Sequence, residues 1–168
     1  MIYLFYIACV ILYIVSPCSC GVSIDNMAGI FTYQFMHANI LHLAVNILSL
    51  VLMYNPIKKL YEERFSAIVI PNLFIVLYIF SIIVGGFCAM PTPTVGASGM
   101  VFFLLGMLII LNPTLQQLKN YIYVGLALLV SIIFGNSNVA LHVLSFVFGA
   151  IYVITLIAYD NRRISDSE

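Results

Sequence analysis

Charged residues are scarce in this sequence. They make up 7 % of its 168 residues, 6 basic and 6 acidic side chains balance to a net charge of zero, and tryptophan is absent. An ordinary soluble domain carries roughly a quarter charged residues, so a water-soluble globule is excluded. The balanced charge also excludes a basic nucleic-acid-binding protein and an acidic disordered chain.

Most of what remains is apolar. Hydrophobic residues account for 64 % of the chain, and the mean hydropathy is +1.15. A membrane-spanning helix needs about 20 apolar residues, so the chain has room for roughly six such helices. Its apolar runs lack the alternation of polar and apolar residues that is typical of transmembrane barrel strands. We therefore predict an all-α polytopic membrane helix bundle with six transmembrane helices, a single domain over residues 1–168 in the lipid bilayer. The predicted spans lie near residues 2–16, 36–54, 67–87, 95–112, 121–135 and 139–158.

Cysteine pairs with metal-ligand spacing are also missing. No two of the four cysteines form a CxxC pair, and none is placed near a histidine at ligand spacing, so no metal site is expected. Cys18, Cys20 and Cys88 would share one side of the membrane, which leaves a disulfide among them open. The first apolar run has no basic n-region, so we interpret it as a span rather than as a cleaved leader.

The basic residues indicate an orientation. With a cytoplasmic N-terminus, the loops after the second, fourth and sixth spans hold every lysine and arginine: Lys58, Lys59, Arg64, Lys119, Arg162 and Arg163. The loops on the other side, at residues 17–35, 88–94 and 135–138, contain none. This distribution agrees with the excess of basic residues in cytoplasmic loops of membrane proteins. Both termini are then cytoplasmic.

Polar side chains inside the spans are the strongest functional signal, because such groups are costly in lipid. His42 and Asn46 are four residues apart on one face of the second span, Ser98 opens the fourth, and His142 opens the sixth. All three spans enter from the outer side, so these residues share one depth. The six acidic residues all fall outside the predicted spans, which excludes a Ser-His-Asp triad within the membrane.

A Ser-His dyad is chemically sufficient without an acid. A neutral His142 would take the Ser98 proton during attack and return it to the leaving amine. The first-turn backbone amides of the fourth span, with His42 and Asn46, would stabilise the oxyanion. Packing offers a plainer interpretation of each feature, since Gly96-x-x-Gly99 suits a close helix crossing and His42 with Asn46 suits a polar clamp. Their common depth favours the chemical interpretation.

The sequence resembles the rhomboid intramembrane serine proteases over residues 31–159. The resemblance rests on Phe35-Met36-His37-Ala38-Asn39-Ile40-Leu41-His42-Leu43-Ala44-Val45-Asn46, then Gly96-Ala97-Ser98-Gly99, then His142, in that order. It implies that Ser98 is the nucleophile and His142 the general base and acid, with His42, Asn46 and the Ser98 amide in the oxyanion hole. It also implies supporting roles near the site for His37, Gly96, Gly99, Phe102 and Gly149, with Phe102 stacked on the catalytic histidine.

Three positions depart from the family pattern. The glycine usual three residues after the catalytic histidine is Ser145, and Ala28-Gly29 replace a Trp-Arg pair of the first external loop. The family's glutamate after the second span matches Glu62 or Glu63, with the register left open by Asn55-Pro56. The short external loop affects how a substrate would approach.

The resemblance implies a six-span enzyme of the bacterial type in the plasma membrane, with its active site open to the external side. Its expected substrates are transmembrane segments of other membrane proteins, and no metal or organic cofactor is implied. Two alternatives are a non-catalytic rhomboid-like module that binds transmembrane helices, and a small transporter whose polar residues line a path. The sequence leaves the oligomeric state open.

Overall fold

The described part of the chain is helical. The computed structural model describes residues 1–15, 21–66, 68, 70–112, 126 and 138–167. These residues form α1 (Ile2–Val15), α2 (Ile40–Arg64), α3 (Leu73–Phe87), α4 (Ser98–Leu111) and α5 (Val139–Ser165), with a 3-10 helix at Met27–Phe31. Helix α5 corresponds to the sixth predicted span, because the fifth, at residues 121–135, lies outside the described residues apart from Leu126.

Two of these helices are long and apolar enough to cross a membrane. They are α2, with 25 residues, and α5, with 27. The other three, α1, α3 and α4, are apolar but only 14 or 15 residues long. The all-helical prediction is therefore confirmed for the described residues, whereas six crossings remain a prediction.

Asparagine caps place two helix starts later than predicted. Helix α2 begins at Ile40 rather than near residue 36, because the Asn39 side chain accepts a hydrogen bond from the His42 amide at 2.8 Å. Helix α3 begins at Leu73 rather than near residue 67, and the Asn72 side chain accepts from the Phe74 amide at 3.0 Å. Helix α4 starts at Ser98 itself, three residues after the predicted start.

Helix α2 also continues ten residues past its predicted end at residue 54. Pro56 lies inside the helix, where it removes a single backbone hydrogen bond without ending the helix. Beyond it, ion pairs between residues four apart support the extension, with Nζ–Oε1 distances of 3.0 Å for Lys58–Glu62 and 3.7 Å for Lys59–Glu63. The prediction that these basic residues lie in a loop after the span is therefore wrong.

The C-terminal helix is longer than predicted as well. Helix α5 ends at Ser165 rather than near residue 158, so Arg162 and Arg163 lie in its last turn and not after it. Asp160, predicted outside the spans, is a buried residue of α5 and pairs with Arg64 at the end of α2, at 3.2 Å. This contact brings the C-terminal ends of α2 and α5 together. Lys119 lies outside the described residues.

Helix α4 forms the centre of the bundle. Its residues from Gly99 to Met107 are all buried, and α2, α3 and α5 pack around it. The most extensive packing is with α5, where Gly106 and Gly149 lie at the crossing. A Cβ atom at Gly106 would collide with the Phe146 carbonyl, and one at Gly149 would collide with the Phe103 carbonyl. Glycine at both positions therefore permits the close approach of the two helices.

Backbone pairing fixes the segment that leads into α4. Val22 and Thr94 form an isolated antiparallel bridge with N–O distances of 3.0 and 2.8 Å, and the Ile24 amide donates to the Met90 carbonyl at 3.0 Å. Cys88, just after α3, is buried and forms no disulfide with any described residue. Cys18 and Cys20 lie outside the described residues.

Candidate active site

Ser98 and His142 meet between α4 and α5. The Ser98 Oγ lies 2.8 Å from the His142 Nε2, within hydrogen-bond distance. Ser98 is the first residue of α4, and His142 lies one turn into α5. The imidazole is buried, whereas Ser98 is partly exposed. The first turns of two helices thus place the hydroxyl of Ser98 against the imidazole of His142, 44 residues later in the chain.

Phe102 holds the other side of the imidazole. Its ring stacks on the His142 ring with centroids 4.4 Å apart and an interplanar angle of 16°. Phe102 is one helical turn after Ser98, so both side chains leave α4 from the same face. The stack restricts rotation of the imidazole and keeps its Nε2 directed at the hydroxyl.

His42 and Asn46 approach the same helix start from α2. Both lie beside Gly96, whose φ of +110° belongs to the region that favours glycine. A Cβ atom at Gly96 would lie 2.6 Å from the His42 Cε1, 2.7 Å from its Nε2 and 3.1 Å from the Asn46 Nδ2. Only a glycine at position 96 therefore lets these two side chains come this close to the turn before Ser98.

The N-terminus of α4 has no side-chain cap. Asn39, Asn72 and Asn138 cap α2, α3 and α5 through their side chains, whereas Ala97 precedes α4. Among the described residues, no group accepts a hydrogen bond from the Ser98 or Gly99 amide. These amides and the positive end of the helix dipole are therefore available to an anion beside Ser98.

Two further polar atoms near the site have no described partner. The Asn46 Nδ2 is buried without a hydrogen bond, and so is the His37 Nε2. The His37 Nδ1 lies 3.2 Å from the Phe35 carbonyl oxygen, and its ring is 5.2 Å from the His42 ring. His37 therefore packs behind His42. Such orphaned buried atoms are rare in native proteins.

The remaining predicted residues line the contact between α4 and α5. Gly99 faces α5, because a Cβ atom there would lie 3.0 Å from the Leu141 Cδ2 and 3.3 Å from the Ser145 Oγ. Gly149 lies two turns below His142, at the crossing and away from the Ser98 hydroxyl. Within the described ranges, no three His, Cys, Asp or Glu side chains converge as they would at a metal site.

Residues 25–159 match the Rhomboid domain family. The chain belongs to the rhomboid family. Rhomboid proteins are membrane proteins and generally serine proteases, and the resemblance found in the sequence is confirmed at the level of the family. A search of curated proteins and a search of solved structures returned no match.

The structure explains two departures from the rhomboid pattern. Gly29 replaces an arginine, and a Cβ atom there would lie 2.5 Å from the Gly21 carbonyl oxygen, so no longer side chain fits this loop. Ser145 replaces a glycine, and its buried hydroxyl lies against Gly99. The α4–α5 contact thus accommodates one extra hydroxymethyl group.

Sequence reasoning missed two residues that hold the helix starts in place. The Tyr33 carbonyl oxygen accepts a hydrogen bond from the Gly96 amide at 2.8 Å, and the Tyr33 hydroxyl donates one to the Ser81 carbonyl oxygen at 2.7 Å. Asn138 caps α5 and also bonds across to the segment before α4. An asparagine directly before an apolar run is a helix-cap signal, so the sequence predicts the hydrogen bond between Asn138 and the first turn of α5. No sequence signal predicts the partners in distant loops.

Proposed function

We propose that this rhomboid protein is an intramembrane serine endopeptidase that uses Ser98 and His142 as a catalytic dyad. The observation that carries the proposal is the 2.8 Å contact between the Ser98 Oγ and the His142 Nε2 at the uncapped start of α4. A positioned base beside a hydroxyl is what nucleophilic catalysis by serine requires.

The dyad accounts for both halves of peptide hydrolysis. With its proton on Nδ1, His142 accepts the Ser98 proton at Nε2 while Oγ attacks the scissile carbonyl carbon. The C–N bond then breaks, and His142 gives that proton to the departing amine. Water attacks the resulting acyl ester, His142 takes a proton from the water, and the serine oxygen leaves and regains it. The complete cycle returns the dyad to its starting state.

Four donors close to Ser98 support the proposal of an oxyanion hole for the tetrahedral intermediate. The amides of Ser98 and Gly99 are unused among the described residues, and the Asn46 Nδ2 is buried without a partner. His42 Nε2 lies beside them at Gly96. Removing one oxyanion donor typically lowers the rate by about 10² to 10³. The two unused amides and the unpartnered Asn46 Nδ2 support a site for a developing negative charge.

The substrate proposed is a transmembrane segment of another membrane protein, cut near the external face of the bilayer. Residues His42 and Arg64 lie at opposite ends of α2 and are about 33 Å apart along the helix axis, at 1.5 Å per residue. The basic residues of α2 and α5 lie at the end away from Ser98. This distribution supports the proposed orientation, in which both termini of the six-span chain are cytoplasmic and the site faces outward. The proposed membrane is the bacterial plasma membrane.

A fluorophosphonate probe tests the dyad directly. We expect the purified protein in detergent to be labelled at Ser98, as located by mass spectrometry, and to cleave a model transmembrane substrate. Ser98→Ala should abolish both reactions, and His142→Ala should lower both by about 10² to 10⁴. Ser49→Ala, a serine of α2, serves as the matched control and should retain both.

The variants must fold for this test to count, so their thermal unfolding is compared with that of the parent. Cleavage by folded Ser98→Ala protein would contradict the dyad. A folded parent protein that is neither labelled nor cleaves, but that retains a transmembrane peptide, would instead indicate the non-catalytic binding module.

A further inference from the structure

Asn138 stands directly before α5 and organises its first turn. Its Oδ1 accepts a hydrogen bond from the Leu141 amide at 3.1 Å, and its carbonyl oxygen accepts from the His142 amide at 3.2 Å. The residue is 6 % exposed, so these bonds are shielded from water. The backbone that carries the His142 imidazole is thus attached to Asn138.

The amide nitrogen of the same side chain reaches out of the helix. Its Nδ2 donates to the Cys88 carbonyl oxygen at 2.6 Å and to the Thr94 Oγ1 at 3.1 Å. Cys88 is the residue at which α3 ends, and Thr94 lies four residues before Ser98 in the segment that enters α4. One buried side chain therefore joins the end of α3, the approach to α4 and the start of α5.

Thr94 is itself held in place by the rest of the fold. Its backbone pairs in both directions with Val22, so the hydroxyl that receives the Asn138 amide is not on a free loop. Both acceptors of the Nδ2 are therefore anchored, Cys88 by the end of α3 and Thr94 by the bridge. A shift of the α5 start away from Thr94 would break these bonds.

The geometry of α4 and α5 shows why such a tie matters. The two helices are in closest contact at Gly106 and Gly149, which are about 10 to 12 Å along their axes from Ser98 and His142 at 1.5 Å per residue. Nearer the dyad the two helices also meet through Gly99, which lies against Leu141 and Ser145, and through the stack of Phe102 on His142. Asn138 adds a hydrogen-bonded connection on the far side of the dyad, which limits how far the start of α5 can move and so limits the gap between the hydroxyl and the imidazole.

We propose that Asn138 is a positioning residue of the site, which sets the Ser98–His142 distance by tying the start of α5 to Thr94 and Cys88. This inference rests on the proposed function, because the distance matters only if the pair reacts. A misplacement of about 1 Å in a reacting group costs on the order of 10²-fold in rate.

The experiment separates the cap of α5 from the cross-link. In Asn138→Asp the side chain still offers an oxygen to the Leu141 amide, but an oxygen replaces the Nδ2 and repels the Cys88 carbonyl. Asn138→Ser keeps a capping oxygen on a side chain too short to reach Thr94, and it adds no charge near His142. From the other side, Thr94→Val removes the acceptor hydroxyl and Thr94→Ser retains it.

We expect both Asn138 variants to lower kcat on a model transmembrane substrate by about 10- to 100-fold, with KM changed less than about twofold. The rate of fluorophosphonate labelling at Ser98 should fall in parallel. Thr94→Val should lower kcat several-fold, and Thr94→Ser should restore it. Adding Thr94→Val to Asn138→Ser should lower kcat little further, because both remove the same contact.

The matched control is Thr155→Val, a threonine on α5 whose hydroxyl bonds only to the Ile151 carbonyl one turn before it. It should leave kcat and labelling unchanged. The inference is overturned if the parent is active and Asn138→Ser retains its kcat, or if the loss of rate merely follows the loss of folded protein. A parent that shows no labelling or cleavage would overturn the proposed function, and this inference with it.

Discussion

At the scale of single residues, Gly96 carries the tightest constraint in the site. Its positive φ turns the chain into α4, and its missing side chain leaves room for His42 and Asn46. A conformational demand and a steric demand thus coincide at one position, two residues before the proposed nucleophile. The conformation alone disfavours any other residue by about 1 to 3 kcal/mol.

We predict that Gly96→Ala lowers the free energy of unfolding by about 1 to 3 kcal/mol and the cleavage rate by at least about tenfold. The added methyl group would push His42 and Asn46 away from the turn. Unfolding in detergent and cleavage of a model substrate measure the two effects.

Gly86→Ala provides the comparison, because in the described part of the chain nothing beyond its chain neighbours and its own helix backbone lies within 4 Å of the Cβ position at this glycine of α3. The helix propensity of alanine should make this variant as stable as the parent or slightly more stable. Equal behaviour of the two alanine variants would contradict the role assigned to Gly96.

At the scale of secondary-structure elements, the C-terminal ends of α2 and α5 are held together by a partly buried ion pair. The Asp160 side chain is 7 % exposed and the Arg64 side chain 44 %. Among the described residues, the Asp160 Oδ1 has no hydrogen-bond partner, and the Asp160 Oδ2 pairs with Arg64 at 3.2 Å. Nearby, the Tyr61 and Tyr152 hydroxyls meet at 2.6 Å and add a second link between these helices.

We predict that Arg64→Ala lowers the free energy of unfolding by about 1.5 to 3 kcal/mol, because it leaves a buried carboxylate without its charged partner. Lys59→Ala breaks the exposed pair with Glu63 and should cost less than about 0.5 kcal/mol. Denaturant or thermal unfolding compares the two. If both variants lost the same free energy of unfolding, burial would not strengthen the contribution of the Arg64–Asp160 pair to stability.

The helices also show which features can be predicted from the sequence alone. Ser98, His142, His42 and Asn46 could be predicted because polar side chains in apolar runs stand out, and a common depth follows from the order of the spans. The last turns of α2 could not be predicted, because Pro56 and the charged residues after it are typical of the end of a helix. In the structure, pairs such as Lys58–Glu62 support these turns beyond the apolar segment.

Around the site as well, some contacts can be predicted from the sequence and others cannot. The partners of Asn138 are a carbonyl oxygen and a hydroxyl from a connecting segment, and no periodicity relates them to α5. The stacking of Phe102 on His142 agrees with what the family resemblance implies, because one turn of helix relates Phe102 to Ser98. Contacts within a turn can be predicted from spacing, whereas those between loops depend on the folded path.

At the scale of the whole molecule, the orientation in the membrane can be tested with single cysteines. Asp25 precedes the 3-10 helix and Asp166 follows α5, and both are exposed. In a background without the native cysteines, we predict that Asp25→Cys reacts with an impermeant maleimide in intact cells. Asp166→Cys should react only after permeabilisation. The reverse pattern would place the site on the cytoplasmic side and contradict the orientation derived from the basic residues.

The burial of the stretch from Gly99 to Met107 has a consequence for how a bilayer would act on the protein. These residues pack against neighbouring helices, so acyl chains would meet the outer faces of those helices rather than this stretch of α4. A change in bilayer thickness or lipid composition would then reach the Ser98 end of α4 through the tilt of its neighbours, above all that of α5.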